Sequence, residues 1–295
     1  MKTIQYVFDL CEVILNTQPT YVELNHDRID EIANDMKLLK EPPSLQTPEA
    51  SAGKSYHTGI YLEILKELVT SSINYCYWYG ANDIKPMGVS STTMYDDVNK
   101  ILNKANNRSL NFEWRISKLV DLLAIHRYPL LEERKRHLFD LCQNRKAETF
   151  ATKIYENHDT YEEKLFDEMV EKFHGFSSDM FLSRTSLFFI QLHRRYGWFK
   201  GLMSKLFVPA DYHVPKILRH FKCIEYLDIL PKKVFDQQLI PKHSLEEHQI
   251  RAATIKVCDI LKTATGWNTS DVDGYFHTKR KWSGEPHHLT ITTDY

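Results

Sequence analysis

Apolar residues recur along most of the chain at the three- and four-residue spacing of helices that bury one face. The clearest stripes run through residues 29–39, 62–73 and 165–173. Residues 187–192 are apolar on almost every side, which is typical of a central helix. Only residues 288–293 alternate as a strand does, and one strand cannot form a sheet. The pattern predicts a mainly α fold with at most a short C-terminal strand.

Start and stop signals divide this pattern into separate helices. A loop is predicted over residues 40–59, and a later break falls between Gly80 and Pro86. Gly175 is predicted to end a helix as a left-handed cap. The predicted helix starts are Thr93 with Asp96, Pro129, Thr160 with Glu163, and Ser244 with Glu247.

The length and the turn-forming residues agree with this helical interpretation. A chain of 295 residues is long enough to bury a sizeable core. It contains only 10 glycines and 11 prolines, too few for the many turns of a β protein. We predict one compact helical domain over residues 1–295, with a candidate internal seam near residues 80–90 or 145–160.

Charge and cysteine usage narrow the range of partners. Lys and Arg number 38 against 39 Asp and Glu, so no overall attraction to nucleic acid or to anionic lipid follows. The five cysteines lie far apart and match no zinc spacing, so we interpret them as reduced and mostly buried. No apolar run is long enough to span a membrane. We therefore expect a cytoplasmic protein without a membrane partner.

The common short catalytic signatures are absent from the sequence, which has no Gly-rich phosphate loop, no G-x-S-x-G and no H-E-x-x-H. The candidate catalytic residue is instead Asp211, which precedes a predicted helix with Pro215 in its first turn. The free N–H groups and the dipole of that helix would hold the carboxylate ionised. An ionised carboxylate suits a nucleophile or a stabiliser of an oxocarbenium-like cation. The competing interpretation is an ordinary helix cap.

Two further polar segments admit two interpretations each. Arg251 lies near the start of an apolar helix, where it could bind a phosphate or form a surface ion pair. Residues 271–277 are followed by the basic run 279–281 and by Trp282. Basic residues interleaved with aromatic ones can hold a nucleotide, but a solvated loop beside a buried tyrosine has the same composition.

Several separated blocks resemble, in the same order, the conserved blocks of the queuosine salvage protein family, the queuosine 5′-phosphate N-glycosylase/hydrolases. Residues 74–78 resemble its Asn-Phe-x-Phe-Trp block, and residues 210–215 resemble its Ala-Asp-Tyr-Arg-Val-Pro signature. Residues 247–251 are similar to Glu-x-Glu-Ile-Arg, and residues 272–275 are similar to a Leu-Asp-x-x block. Weaker similarity covers residues 129–134, residues 286–288 and Tyr295.

The resemblance implies an enzyme that cleaves the N-glycosidic bond of a salvaged 7-deazaguanine nucleotide and releases queuine, the base used in tRNA modification. It implies a helical fold similar to that of the DNA glycosylases, with no metal and no redox cofactor. The implied partner is a small-molecule nucleotide, queuosine 5′-phosphate, and not a nucleic acid polymer. We expect a monomer.

The family motifs also imply roles for individual residues. Asp211 corresponds to the catalytic carboxylate, in agreement with its expected charge at a helix start. The implied substrate-binding residues are Tyr75, Trp78 and Tyr212 for stacking, Asp273 for an exocyclic amine, Arg184 and Arg251 for the 5′-phosphate, and His288 of the terminal block.

The chain departs from the family pattern at several charged positions. Ser183 stands where the family has Lys, His213 where it has Arg, and Gln249 where it has Glu; His277 replaces Trp and Leu289 replaces Arg. An alternative function is therefore a catalytically impaired protein that binds nucleobases, or a helical interaction protein. Action on bases in DNA or RNA is a third idea, which the balanced charge disfavours.

Overall fold

The computed structural model describes residues 2–39, 41–43, 56–83, 88–103, 111–279 and 283–295. The described chain is mainly α-helical, which confirms the predicted class. The helices are α1 (Ile4–Leu15), α2 (His26–Leu38), α3 (Tyr56–Ile73), α4 (Ser91–Leu102), α5 (Phe112–Ile125), α6 (Leu131–Cys142), α7 (Lys146–Asn157), α8 (Glu162–Lys172), α9 (His174–Ser177), α10 (Ser183–Tyr196), α11 (Lys200–Lys205), α12 (His213–His220), α13 (Leu230–Phe235), α14 (Leu245–Thr265) and α15 (Thr269–Lys279). The strands are β1 (Val22–Leu24) and β2 (Ile224–Tyr226).

Two hydrophobic clusters share the long helix α14. The larger one is formed by α1 and by α3 to α11, and it contacts α14 through Ala252 and Ile255. The smaller one combines α2, α12, α13, α15 and both strands with residues such as Val257 and Leu261 of α14. A helix buried on two faces carries apolar residues nearly all round, as α14 does. Neither candidate seam separates the clusters, because the larger one includes residues on both sides of 80–90 and of 145–160. A single domain stays a prediction.

The two strands lie where no strand was predicted. β1 and β2 pair antiparallel, with Val22 opposite Tyr226 and Leu24 opposite Ile224. Three-residue strands are too short for their alternation to be recognised in the sequence. Residues 288–293 form no regular strand but only an isolated bridge, between Leu289 and Leu239, which stays within the prediction of at most a short C-terminal strand. That segment is packed into the protein, so its alternation does not mark one buried and one solvated face.

The helix boundaries follow the predicted caps in part. The start at Ser244 is confirmed, since its hydroxyl accepts a hydrogen bond from the backbone N–H of Glu247 at 3.3 Å. Helix α4 begins earlier than predicted, with a capping box between Ser90 and Thr93. The cap at Thr160 was wrong, because Tyr161 precedes α8 and no side chain caps that helix. The predicted loop of residues 40–59 overlaps the start of α3, and much of it lies outside the described residues, as does Pro86.

Gly175 is not a left-handed cap but lies inside the short helix α9. A Cβ atom at this position would lie 3.2 Å from Cγ of the His137 side chain. Close packing of α9 against α6, and not backbone conformation, therefore explains the glycine.

Most apolar side chains of the described helices are buried, although Leu38, Ile125 and Phe235 are exposed. None of these helices is both long and apolar enough to cross a membrane. All of the five cysteines except Cys142 are buried, as predicted, and none forms a disulfide bond.

A buried arginine fixes the aromatic segment that follows α3. This helix ends at Ile73, and residues 74–78 continue in an irregular conformation. The Arg134 guanidinium, which is 0% exposed, donates hydrogen bonds to the backbone carbonyls of Ile73, Tyr75, Cys76 and Pro129. Carbonyls at a helix C-terminus lack partners within the helix, and a cation stabilises them. Arg134 thereby orients Tyr75 at the edge of the cleft described next.

Candidate functional site

A cleft with a volume of about 650 Å³ opens between α3, α4 and α10 on one side and α15 with residues 209–213 on the other. These walls come from both hydrophobic clusters, so the cleft lies where the clusters meet. Helices α3 and α10 run antiparallel: Arg184 bonds to Ser72 at one end, and Arg195 pairs with Glu63 at the other. Because residues 184 and 195 are eleven positions apart on a helix, the two ends are separated by about 16 Å.

Asp211 lies on the cleft wall immediately before α12. Its Oδ1 atom accepts hydrogen bonds from the backbone N–H groups of His213, at 2.7 Å, and of Val214, at 3.2 Å. Pro215 stands in the first turn of α12, where its missing N–H costs nothing, as predicted. The carboxylate is half-buried and borders the cleft. The helix start therefore holds one oxygen of Asp211 in a fixed position.

The electrostatic expectation for Asp211 needs a correction. Burial, and to a smaller extent the nearby Asp273 carboxylate, raise its pKa to about 6. The two backbone N–H bonds and His277 act in the opposite direction, but they do not outweigh burial. The helix start alone would have lowered this pKa. At pH 7 the group is still mostly ionised, since the solution pH lies about one unit above its pKa.

A second carboxylate and a histidine share the same wall. Asp273 on α15 pairs with Arg194 of α10 at 2.6 Å, and Arg194 also donates to the backbone carbonyl of Ser270 at 3.1 Å. His277 follows Asp273 by four residues, so both lie on one face of α15 and both line the cleft. Asp211, Asp273 and His277 therefore form one cluster of ionisable groups, with Arg194 balancing one of the two carboxylates.

The end of the cleft where Arg184 bonds to Ser72 carries hydrogen-bond donors that lack acceptors. The side chains of Thr70, Tyr75 and Arg184 line it, and each is at most 1% exposed. Among the described residues, the hydroxyls of Thr70 and Tyr75 and Nε of Arg184 have no hydrogen-bond partner. Arg184 uses its other nitrogens on the carbonyl of Ser72, at 2.6 Å, and the hydroxyl of Ser178, at 3.4 Å. Buried donors without acceptors are costly, so a ligand with acceptor atoms fits this end.

The protonation state of Tyr75 supports its role as a donor. Burial raises the pKa of its hydroxyl to about 12, so the proton stays on the oxygen at neutral pH. The guanidinium of Arg184 lies 5.0 Å from the centre of the Tyr75 ring and completes the corner.

Tyr212 presents an aromatic ring to the cleft, whereas Trp78 stands behind it. Trp78 is 0% exposed and is not part of the cleft wall. Its ring meets that of Tyr212 edge-on, with 5.0 Å between centres, and the ring of His287 lies 4.9 Å from Tyr212. A ring held in this way has little freedom to move. The sequence-based stacking role thus fits Tyr212 by position, while Trp78 supports it.

Arg251 also lies beneath the cleft and not on its surface. One terminal nitrogen donates to Asp179 at 2.7 Å and to the Ser183 hydroxyl at 3.0 Å, and the other donates to Glu247 at 3.3 Å. Its Nε atom donates to the carbonyl of Ala210 at 3.1 Å. The guanidinium is thus occupied by internal partners, which leaves no free fork for a phosphate. Arg251 instead holds the residue directly before Asp211.

His288 is a third predicted site residue that does not line the cleft. It is 1% exposed, and its Nε2 forms a hydrogen bond of 3.1 Å with the hydroxyl of Tyr295, which does line the cleft. Burial lowers the pKa of His288 to about 3, so the ring is neutral. Of the eight predicted site residues, Tyr75, Arg184, Asp211, Tyr212 and Asp273 are brought together at the cleft.

Sequence reasoning missed the polar face of α3. Glu63, Lys66, Glu67 and Thr70 line the cleft, and their spacing of three and four residues within an apolar helix was a usable signal. Glu67 is 1% exposed and accepts hydrogen bonds from Ser71, at 2.9 Å, and from the hydroxyl of Tyr95, at 3.1 Å. The end near Glu63 is thus richer in carboxylates than the end near Arg184.

Other predicted features contribute less to the cleft. The basic run 279–281 and Trp282 fall mostly outside the described residues, although the Lys279 ammonium lies 4.6 Å from the ring centre of Tyr275. Gln249 bonds to the carbonyls of Thr17 and Pro19, away from the cleft. In the part of the chain that the structure describes, no group of three or more His, Cys, Asp or Glu side chains could hold a metal ion.

The comparison with protein families gives one match that includes most of the residues lining the cleft. The family model described as queuosine salvage protein matches residues 67–274, which is more than two thirds of the chain. No curated protein matches the sequence. The matched range includes the donor corner near Arg184 as well as Asp211 and Asp273. With this match over most of its length, the chain belongs to the queuosine salvage protein family, and its role lies in queuosine salvage.

Proposed function

We propose that the protein hydrolyses the N-glycosidic bond of queuosine 5′-phosphate, or of a closely related 7-deazaguanine nucleoside, and releases queuine. The observation that supports this most is Asp211, a carboxylate on the cleft wall with one oxygen anchored by two backbone N–H groups. Asp211 is linked to both ends of the cleft. Arg251 ties its neighbour Ala210 to Ser183, and Asp211 interacts with Asp273 and His277.

The proposed reaction creates a positive charge on the sugar that a carboxylate can stabilise. Positive charge develops on the ribose as the bond between its anomeric carbon and the base lengthens. A fixed carboxylate beside that carbon stabilises the charge more in the transition state than in the bound substrate. Water then adds to the anomeric carbon, and the products are queuine and ribose 5-phosphate. Asp211 supplies the negative charge.

The base is assigned to the part of the cleft between Tyr212 and Asp273. A planar deazaguanine ring can stack on the ring of Tyr212, which Trp78 and His287 hold in place. Asp273, oriented by Arg194, accepts a hydrogen bond from the exocyclic amine of the base. This assignment leaves the opposite end for the rest of the nucleotide.

The 5′-phosphate belongs at the donor corner of Thr70, Tyr75 and Arg184. Their three unused donors match the oxygens of a phosphate, and Arg184 adds a positive charge. Arg251 takes no part in phosphate binding, because its guanidinium already binds Asp179 and Glu247.

Incubation with queuosine 5′-phosphate tests the proposal directly. The purified protein is expected to release free queuine, which chromatography separates from the nucleotide. Asp121→Asn should release queuine at the wild-type rate, because Asp121 is an exposed carboxylate on α5, away from the cleft. It is therefore the control for any variant that loses a carboxylate within the cleft. Binding of queuine without any release from the nucleotide would show that the protein is a binder and not a hydrolase.

Arg184→Gln should separate nucleotide from nucleoside. We expect the KM for queuosine 5′-phosphate to rise about 10- to 100-fold, because a charge-assisted contact with the phosphate is lost. The KM for queuosine itself should change less than about threefold on the same grounds. Steady-state kinetics on both substrates measure the ratio, which does not depend on the folded fraction of the variant. An equal change in KM for both substrates would show that the phosphate does not bind at this corner.

A further inference from the structure

The leaving group of the proposed reaction creates a problem of proton supply. In a 7-deazaguanine, position 7 is carbon, so the departing base cannot be protonated there as an ordinary purine can. The electron pair of the broken bond moves to N9 and spreads into the adjoining ring. A proton that stabilises this anion must reach N9 or N3, which are the positions nearest the sugar. The donor must therefore stand close to the carboxylate that faces the sugar.

Few of the side chains that lie close to Asp211 can donate a proton near neutral pH. Arg194 remains charged at any working pH, and it is bonded to Asp273. The Tyr295 hydroxyl is buried, and its pKa is raised well above the usual value. Histidine is the side chain that titrates in the neutral range, and His213 and His277 both line this part of the cleft.

His277 has the better position of the two histidines. It lies in the last turn of α15, where the helix dipole favours a positive charge. It is half-buried on the cleft wall, and it shares a helix face with Asp273, the residue assigned to the base. It also acts on Asp211 electrostatically, lowering the pKa of that carboxyl. His213, by contrast, begins α12, at the end of a helix that disfavours a cation.

We propose that His277 is the general acid that protonates the departing base. This inference rests on the proposed hydrolysis. As the bond between C1′ and N9 breaks, its electron pair goes to the base, and the imidazolium of His277 gives its proton to the base. The oxygen of a water molecule then bonds to C1′, and the proton that this water loses passes to the neutral imidazole. The histidine thus returns to its starting state, and the sum is the hydrolysis of one bond.

The surroundings of His277 bear on its pH dependence. On the elements that flank it, the ionisable side chains of the cleft wall are Arg184, Arg194 and Arg195 from α10, His213 at the start of α12 with Asp211 directly before it, and Asp273 on its own helix. Helices α11 and α14 also pack against α15, but among the described residues they contribute nothing to the cleft wall.

Two substrates distinguish a proton donor from a structural residue. We expect His277→Gln to lower kcat for queuosine 5′-phosphate about 100-fold, the usual size of general acid catalysis. For 4-nitrophenyl β-D-ribofuranoside 5′-phosphate, whose leaving group departs without a proton, the same variant should stay within about threefold of the wild type. The wild type should also lose activity on queuosine 5′-phosphate at alkaline pH, and the variant should lack this decline. His220→Gln, an exposed histidine on α12, is the matched control.

Three outcomes keep the inference separate from the proposed hydrolysis. If the wild type releases no queuine, the proposed function fails. If the wild type is active and His277→Gln slows both substrates equally, or keeps the alkaline decline, His277 is not the acid. If only His213→Gln shows the dependence on the leaving group, the assignment moves to His213 and the inference is wrong.

Discussion

Asp211→Asn is expected to lower the rate of queuine release by a factor on the order of a hundred or more. The substitution removes the negative charge at nearly constant volume. It also keeps a side-chain oxygen that can accept the hydrogen bonds from His213 and Val214, so the start of α12 should stay intact. Single-turnover assays of the variant and of Asp121→Asn measure the effect. If the variant keeps most of the wild-type rate, Asp211 takes no part in the chemistry.

The same substitution should stabilise the protein at high pH. Burial raises the folded-state pKa of Asp211 to about 6, above the value of about 3.9 in an unfolded chain. The stability that the protonated carboxyl contributes is present below about pH 4 and is lost as the pH rises through 6. Asparagine does not titrate, so Asp211→Asn escapes this loss. We expect its advantage in the free energy of unfolding to be on the order of 1 to 2 kcal/mol at pH 8.

Urea unfolding at pH 4 and at pH 8 checks this prediction. At pH 4 the wild type and Asp211→Asn should be nearly equal, because the wild-type carboxyl is then mostly protonated. An advantage of the same size at both pH values would mean that the stabilisation does not come from removing a buried charge.

Arg251→Met is expected to cost about 3 to 5 kcal/mol of folding free energy, the largest stability effect that we predict. The substitution keeps an apolar side chain of similar length but leaves the buried carboxylates of Asp179 and Glu247 without their cation. Both carboxylates are at most 1% exposed, so water does not replace the guanidinium. Urea unfolding at pH 7 measures the loss. Arg136→Met is the control, because the Arg136 side chain is 73% exposed.

Arg251→Lys refines the test of the same network. Lysine keeps the charge but not the planar fork, so it should recover part of the stability without restoring every contact. A loss below about 1 kcal/mol for Arg251→Met would show that the internal ion pairs contribute little to folding.

The helical class could be predicted because it depends on local spacing. The stripe of Leu165, Phe166, Met169 and Val170 buries one face of α8 as its sequence indicates. The start of α12 was equally local, since Pro215 and the preceding Asp211 signal it within a few residues. Such features need only the periodicity of a helix and the chemistry of its ends.

The site required contacts that no local pattern contains. The sequence alone suggests that Arg251 is exposed or binds a phosphate. In the structure it instead pairs with Asp179, which lies 72 positions away in sequence. The donor corner depends on α3 and α10 packing antiparallel, which brings Thr70 and Arg184 to one end of the cleft. The raised pKa of Asp211 depends on burial by residues of distant segments, whereas the sequence shows only the helix start, which acts in the opposite direction.

The pH dependence of queuine release by the wild type is the most direct test of an ionised Asp211 beside the sugar. Single-turnover rates with saturating queuosine 5′-phosphate should rise nearly tenfold per pH unit between about pH 4.5 and 5.5 and level off above pH 6, before the alkaline decline expected for a general acid, because the carboxyl must lose its proton before it can stabilise the ribosyl cation. Rates that instead increase as the pH falls below 6 would show that a protonated carboxyl does the work, and they would contradict the account.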